Sequence, residues 1–282
     1  MKGVIVAAGY GTRFLPVTKT LPKEMLPLYD RPLIDFILDE FEEAGIKDVI
    51  IISSRRKKVL EDYLDRETEL EHVLEKGNKK DSLRSIRPRN MNFCFIRQQE
   101  MKGTGQALLL IKPYIKDEPF IVAYPDDIVI GSPGVSSMMI DMHKTGGKNI
   151  LAVRKELINP SRYGVVRLKK TGRLDIEELV EKPAKKDAPS DLISIGRYLF
   201  TPEILSILEK GYEKHHEGQG EYYHIDAINK LASEDKVSAF EISGLMLDTG
   251  EPESYLMSLL MYIERHPSGS LVLKEFLSKF KA

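Results

Sequence analysis

Two short apolar runs, KGVIVAA (2–8) and KDVIIISS (47–54), most constrain what this chain can become. Each is continuous at its centre rather than alternating, so each needs cover on both faces, as a strand inside a sheet has. Between them, PLIDFILDEFEEAG (32–45) puts Leu33, Ile37, Phe41 and Ala44 on one side of a helix, with Gly45 placed to end it. Strand, helix and strand in that order make a βαβ unit, and a parallel pair of strands requires such a crossover.

The rest of the chain continues in the same vein. NFCFIRQ (92–98), PFIVAYPDD (119–127), NILAVRKE (149–156) and YGVVRLKK (163–170) read as strands, and DLISIGRYLFTPEIL (191–205) as a strand running into a helix. GTGQALLLIKPYI (103–115) reads as a helix entered through glycines, GEYYHIDAINKLAS (220–233) as helical, and KVSAFEISGLMLDTG (236–250) as strand-rich. PESYLMSLLMYIERH (252–266) has an amphipathic helical pattern. Residues 55–90 are charged and helical in spacing. The expectation is one α/β domain over residues 1–265, with a helical insertion near 55–90 and a helical tail over 266–282.

Composition removes several function classes. Lys plus Arg is 42 against 43 Asp plus Glu, a formal net charge of −1, so the basic footprint of a nucleic-acid binder is missing and phosphates must be met by a local cluster. The one cysteine, Cys94 in FCFI, allows neither a disulfide within the chain nor a two-cysteine zinc site, and reads as a strand residue. No apolar run approaches the ~20 residues of a membrane span, and Met1 leads straight into a strand rather than a signal peptide. A cytoplasmic enzyme or binding protein is expected, with no nucleic acid and no membrane as partner.

The stretch AAGYGTRFLPVTKTLPKEMLP (7–27) suits neither helix nor core strand, because it mixes glycines, prolines and cations. A glycine turn after a first strand brings backbone N–H groups close to an anion. It is not a Walker loop, and a dinucleotide fingerprint would need glycine where Phe14 stands. What distinguishes it is the spacing G-x-G-T-R-x-x-P-x-T-x-x-x-P-K-x-x-L-P. Prolines at 16, 22 and 27 stiffen the loop and hold Arg13 and Lys23 at a fixed separation. Arginine forks two phosphate oxygens and lysine acts as a point charge.

This signature resembles that of the sugar-1-phosphate nucleotidyltransferases, and GTRFLPVTKTLPKEMLP is most similar to the branch that joins UTP and glucose 1-phosphate. The resemblance covers residues 3–265 through several motifs in order. It implies a Rossmann-like α/β/α sandwich around a mixed, largely parallel sheet. It also implies nucleotide contacts at Ala8, Gly9 and Gly11, with Gln98 and Gly103 of RQQEMKGTGQAL reading the pyrimidine. Asp126 of YPDD and Asp248 of LDTG would hold Mg2+, with Asp127 the competitor of the preferred Asp126, since neighbouring strand residues face opposite ways. Gly164 of YGVV and Glu181 and Lys182 of LVEKPAKKD would meet the sugar and its phosphate. The catalytic cations would be Arg13, Lys23 and Lys182. Gln106 stands where the family often has histidine. The insertion ETELEHVLEKGNKKDSLRSI also resembles that branch, and such helices often make subunit contacts, so a homo-oligomer is expected.

In such an enzyme the nucleophile is a phosphate oxygen already ionised at neutral pH, so no Ser, Cys or His nucleophile is needed and positioning with charge neutralisation carries the reaction. His224 lies in GEYYHIDAINKL, which departs from an expected G-E-x-x-L-T-D-A-I; no general base being required, it reads as structural. His215 and His216, beside Glu217, read as loop residues rather than a metal site. The alternatives are a sibling transferase using dTTP or another sugar 1-phosphate, and a catalytically silent nucleotide-sugar sensor. A sensor would be expected to have lost a phosphate-binding cation or a metal ligand.

Overall fold

Nothing in β1 (Lys2–Val6) tolerates water at its centre: Val4 and Ile5 are fully buried, in cores on opposite faces of the strand. The computed structural model describes residues 1–156, 160–172, 174–216 and 218–279 of the chain. Glu217 and the last three residues of the expected tail lie outside them. After β1 comes the glycine–proline loop, which ends in a short ladder of β2 (Pro27–Leu28) and β3 (Arg31–Pro32). Then follow α1 (Leu33–Glu43) and β4 (Asp48–Ser53), completing the βαβ unit. The charged segment forms α2 (Lys58–Leu64), α3 (Thr68–Lys76) and α4 (Lys80–Ser85). Next are β5 (Asn92–Arg97), α5 (Thr104–Leu109), β6 (Phe120–Ala123), β7 (Asp127–Ile130), α6 (Val135–Gly146) and β8 (Asn149–Lys155). The remainder is β9 (Gly164–Leu168), β10 (Ile176–Glu181), β11 (Leu192–Phe200), α7 (Glu203–Tyr212), α8 (Ile225–Ser233), β12 (Val237–Glu241), β13 (Leu245–Asp248), α9 (Pro252–Arg265) and α10 (Gly269–Lys279).

The main sheet runs β10-β9-β11-β6-β1-β4-β5, with β8 paired to β11 and β12. Its β6-β1-β4-β5 portion is wholly parallel, and β11 joins it antiparallel to β6, so the sheet is mixed. Helices α5, α7 and α8 pack on one face through Leu108, Leu205 and Leu231, and α1 and α6 on the other through Ile37, Phe41 and Met139. This is the α/β/α sandwich expected. A third cluster, Leu26, Leu28, Leu33, Ile128 and Leu247, lies under the glycine–proline loop, with Phe14, Tyr255 and Tyr262 packed against it.

Three elements differ from the sequence reading. The strand at PFIVAYPDD stops at Ala123, since Pro125 has no N–H for a ladder, so Asp126 sits in a turn and Asp127 opens β7. The helix from Thr104 stops at Leu109, shortly before Pro113, and a 3-10 turn over Lys112–Tyr114 replaces its last part. The helix in GEYYHIDAINKLAS begins only at Ile225.

β11 carries the least expected core residue. Arg197 is 0% exposed. Its Nε and Nη2 each donate to Glu40 of α1 at 2.9 Å, Nη1 donates to the Gly196 carbonyl and Nη2 to that of Asp127. Glu40 also accepts from the Ser136 backbone N–H and hydroxyl. The pair therefore ties α1, α6 and β11 to the turn bearing Asp126 and Asp127. Because removing one partner strands a buried charge, Arg197→Met is expected to lower unfolding free energy by about 3–5 kcal/mol, read from the denaturant midpoint at unchanged slope.

Candidate active site

In an open α/β sheet, ligands gather beyond the carboxyl ends of the strands. The expected residues converge at that edge: Ala8 and Gly9 follow β1, Gln98 follows β5, and Asp126 follows β6.

The glycine–proline loop is held as three successive 3-10 turns, at Thr12–Phe14, Val17–Lys19 and Lys23–Met25, the second and third entered from Pro16 and Pro22. Gly11 has φ +67°, which favours glycine, and its carbonyl accepts from the Thr18 hydroxyl at 2.7 Å. Glu24 is 0% exposed and pairs with buried Lys57 at 2.6 Å, fastening the loop to the turn after β4. Arg56 adds a hydrogen bond to the Lys19 carbonyl. On the other side, Phe14 packs edge-on against Tyr255 of α9, whose hydroxyl donates to the Pro27 carbonyl. Lys23 is thereby presented to Asp126, Nζ to Oδ2 at 2.6 Å. Burial opposes both charges, but each outweighs it for the other: Lys23 is held above its ordinary pKa and Asp126 below its own.

Asp248 reaches the same place through register. β13 pairs antiparallel with β7, setting Asp248 opposite Asp127. Its Oδ1 accepts from the Gly250 N–H at 2.9 Å, and its Oδ2 from Tyr163 at 2.8 Å and Arg162 at 3.2 Å. The point where a Cβ would stand on Gly250 lies 3.2 Å from Asp248 Oδ1, 3.4 Å from Asp126 Oδ2 and 3.8 Å from Arg13 Nη1. Two carboxylates from separate elements thus face one position beside a guanidinium. Among the described residues no set of three or more His, Cys, Asp or Glu side chains forms a metal cage. Two carboxylates completed by phosphate oxygens and water is nevertheless the donor set that suits Mg2+. Asp127 lines the cleft as well, but its Oδ2 is engaged by the Gly196 N–H at 2.8 Å. Burial and the charges of Asp126 and Asp248 push it up to about 7.

In the same cleft of about 260 Å³, Gly164 and Glu181 are cross-strand partners of β9 and β10. A Cβ on Gly164 would stand 3.3 Å from Glu181 Oε2. Lys182 follows at φ +43°, a left-handed conformation that a lysine rarely adopts, with its N–H bonded to the Tyr163 carbonyl.

A second, wider opening of about 820 Å³ flanks Tyr10, Gln98 and Met101. Gln98 is buried and donates to the Gly103 carbonyl at 3.2 Å and to Gln106 Oε1 at 2.7 Å. Gln106 therefore orients Gln98, a role that its spacing on the first turns of α5 could have suggested. Gly103 has φ +98°, and a Cβ there would stand 2.4 Å from the Tyr222 carbonyl. The backbone at Tyr222, rather than a ligand, fills the space the glycine leaves. Lys19, Arg55, Arg56 and Arg97 line the same opening with no carboxylate among them. Arg55 and Arg56 open the charged stretch 55–90, and their place directly after a parallel strand is the signal that could have found them.

One nucleophile–base contact occurs in the cleft, Thr104 Oγ1 to His224 Nδ1 at 2.7 Å. No third group orients the imidazole, whose Nε2 is buried without a partner among the described residues.

Comparison with known proteins shows the family to which the chain belongs. Residues 2–264 match the nucleotidyl transferase family. A UTP–glucose-1-phosphate uridylyltransferase of Staphylococcus epidermidis is 37% identical over 284 residues, 99% of this chain and 97% of that protein. A similarly named protein of Staphylococcus saprophyticus is 38% identical, covering 99% and 98%. Among solved structures, a UTP-bound UGPase from Acinetobacter baumannii is 32% identical with a TM-score of 0.88, over 99% of both chains. A UDP-glucose pyrophosphorylase complexed with UDP-glucose is 37% identical with a TM-score of 0.82, over 94% of this chain and 99% of that one.

Burial lowers the His224 pKa to about 4. The unfolded chain, with histidine near about 6.5, therefore binds the proton first as pH falls. Stability from this residue is complete above pH 6.5 and is lost on acidification towards pH 4, by about 3 kcal/mol in all. Denaturant unfolding from pH 7 to pH 4 is expected to show that extra loss in the wild type relative to His224→Leu.

Proposed function

The chain belongs to the nucleotidyl transferase family, and from that membership we propose that it is a cytoplasmic UTP–glucose-1-phosphate uridylyltransferase. It transfers UMP from UTP to glucose 1-phosphate, giving UDP-glucose and pyrophosphate. The observation that carries this reading is the meeting of Arg13, Asp126, Lys182 and Asp248 along one cleft, with Lys23 bonded into it. All five are present, which disfavours a catalytically silent sensor.

The glucose 1-phosphate oxygen attacks the α-phosphorus of UTP and pyrophosphate leaves. Both reactants are polyanions, so the work is to bring them together and spread the charge. Gln98 spends its amide hydrogens on Gly103 and Gln106, which leaves its Oε1 to accept from the uracil N3–H. Ala8, Gly9 and Gly11 line the path of the nucleotide. Lys19, Arg55, Arg56 and Arg97 give the opening a positive field that draws a triphosphate in. Lys23 exchanges Asp126 for phosphate oxygen, Arg13 holds the departing β and γ phosphates, and Lys182 holds the sugar phosphate. Gly164 and Glu181 take sugar hydroxyls. Asp126 and Asp248 would hold Mg2+, which when bound neutralises and aligns phosphate oxygens at the reacting centre.

A homo-oligomer belongs to the same reading, supported by the exposed Leu256, Met257 and Leu260 on α9 and Leu271 and Val272 on α10.

Pyrophosphate release with Mg2+, UTP and glucose 1-phosphate, set beside dTTP and beside galactose 1-phosphate, tests the assignment. Turnover is expected to be fastest with UTP and glucose 1-phosphate; preference for dTTP or galactose 1-phosphate would move the chain to a sibling specificity. Lys23→Ala is expected to lower kcat by about 10²–10³, and wild-type turnover in that variant would remove Lys23 from the mechanism.

A further inference from the structure

The mechanism above leaves His224 idle, yet it lines the same cleft as Gly164, Glu181 and Lys182. It is 6% exposed. Its ring lies nearly parallel to Tyr124, with centroids 6.3 Å apart, and meets Tyr198 edge-on at 5.2 Å. Tyr198 is hydrogen-bonded through its hydroxyl to Ser194, the cross-strand partner of Gly164, so this aromatic floor adjoins the residues assigned to the sugar. On that floor His224 Nε2 is buried and without a hydrogen-bond partner among the described residues. Native proteins keep few such atoms, because each is costly. One in the wall of a substrate cleft is naturally completed by the substrate.

The chemistry of the site selects what would complete it. Burial keeps the ring neutral, with a pKa of about 4, so Nε2 does not act as a cation for phosphate. Its Nδ1 neighbour is the Thr104 hydroxyl, which can donate or accept, so either tautomer is open to the ring. A hydroxyl both donates and accepts and therefore satisfies Nε2 in either tautomer. A phosphate oxygen only accepts, an ammonium only donates, and an apolar group does neither.

We propose that His224 reads one hydroxyl of the sugar ring and so helps to set which sugar 1-phosphate the enzyme accepts. The proposal rests on the reading of this cleft as a sugar 1-phosphate site.

The test is kcat/KM with UTP and glucose 1-phosphate, and with its 2-, 3-, 4- and 6-deoxy analogues, for the wild type and His224→Leu. Leucine fills similar volume without a polar atom. The wild type is expected to disfavour one analogue by roughly tenfold or more. His224→Leu should lower kcat/KM for glucose 1-phosphate by a similar factor, mainly through the KM of the sugar phosphate. It should leave the KM for UTP unchanged and treat that analogue and the parent alike. If His224→Leu discriminates among the analogues as the wild type does, the proposal fails. Should leucine not be tolerated, His224→Met makes the same comparison with an unbranched apolar side chain. If the wild type turns over no hexose 1-phosphate at all, the proposal falls together with the reading it rests on; discrimination unchanged in an active enzyme overturns the His224 assignment alone.

Discussion

The Lys23–Asp126 ion pair joins two parts of the chain 103 residues apart, the glycine–proline loop and the turn beyond β6. Each member is half-buried, so burial disfavours either charge and each is held by the other. Much of the surrounding structure serves to make this contact. Glu24 and Lys57 fasten one side of the loop, and the cluster of Leu26, Leu28, Leu33, Ile128 and Leu247 supports it from below. On the other side, Arg197 grips the Asp127 carbonyl and keeps the turn in place. The site's charges are thus compensated from within, and under the proposed function substrate binding would be an exchange of partners rather than the creation of a charged cavity.

Asp248 joins this centre by a different route. Pairing of β13 with β7 sets it opposite Asp127, and Ser258 of α9 donates to its carbonyl at 2.8 Å. Helix α9 therefore supports both halves of the site, through Tyr255 on the loop and Ser258 on Asp248. A third carboxylate, Asp127, is drawn into the same small volume, and its raised pKa is the consequence first of burial and then of crowding by Asp126 and Asp248.

Much of this was legible in the sequence because local patterns carried it. The continuous apolar runs marked β1 and β4, helical spacing marked α1, and the spacing of glycines, prolines and cations marked the loop before any contact was known. Contacts between distant residues carried the rest. Nothing near Arg197 in LISIGRYLF announces that Glu40 will meet it across the sheet. The alternation argument that set Asp127 against Asp126 assumed one continuous strand, whereas Pro125 breaks it and both aspartates reach the cleft. Gly103 was read as a contact to the pyrimidine, whereas the space its missing side chain leaves is filled by the Tyr222 backbone. His224 was read as structural, since a catalytic base is not needed; its place in the same cleft as Glu181 depends on how β10 and the start of α8 pack.

The most direct test of partner exchange is calorimetric titration of UTP into the wild type and Asp126→Asn, with and without Mg2+. Wild-type affinity should rise when Mg2+ is added, and that rise should disappear in Asp126→Asn. Without Mg2+ the variant should bind UTP more tightly than the wild type, because Lys23 no longer has a carboxylate to leave. An equal gain from Mg2+ in both proteins would contradict the account.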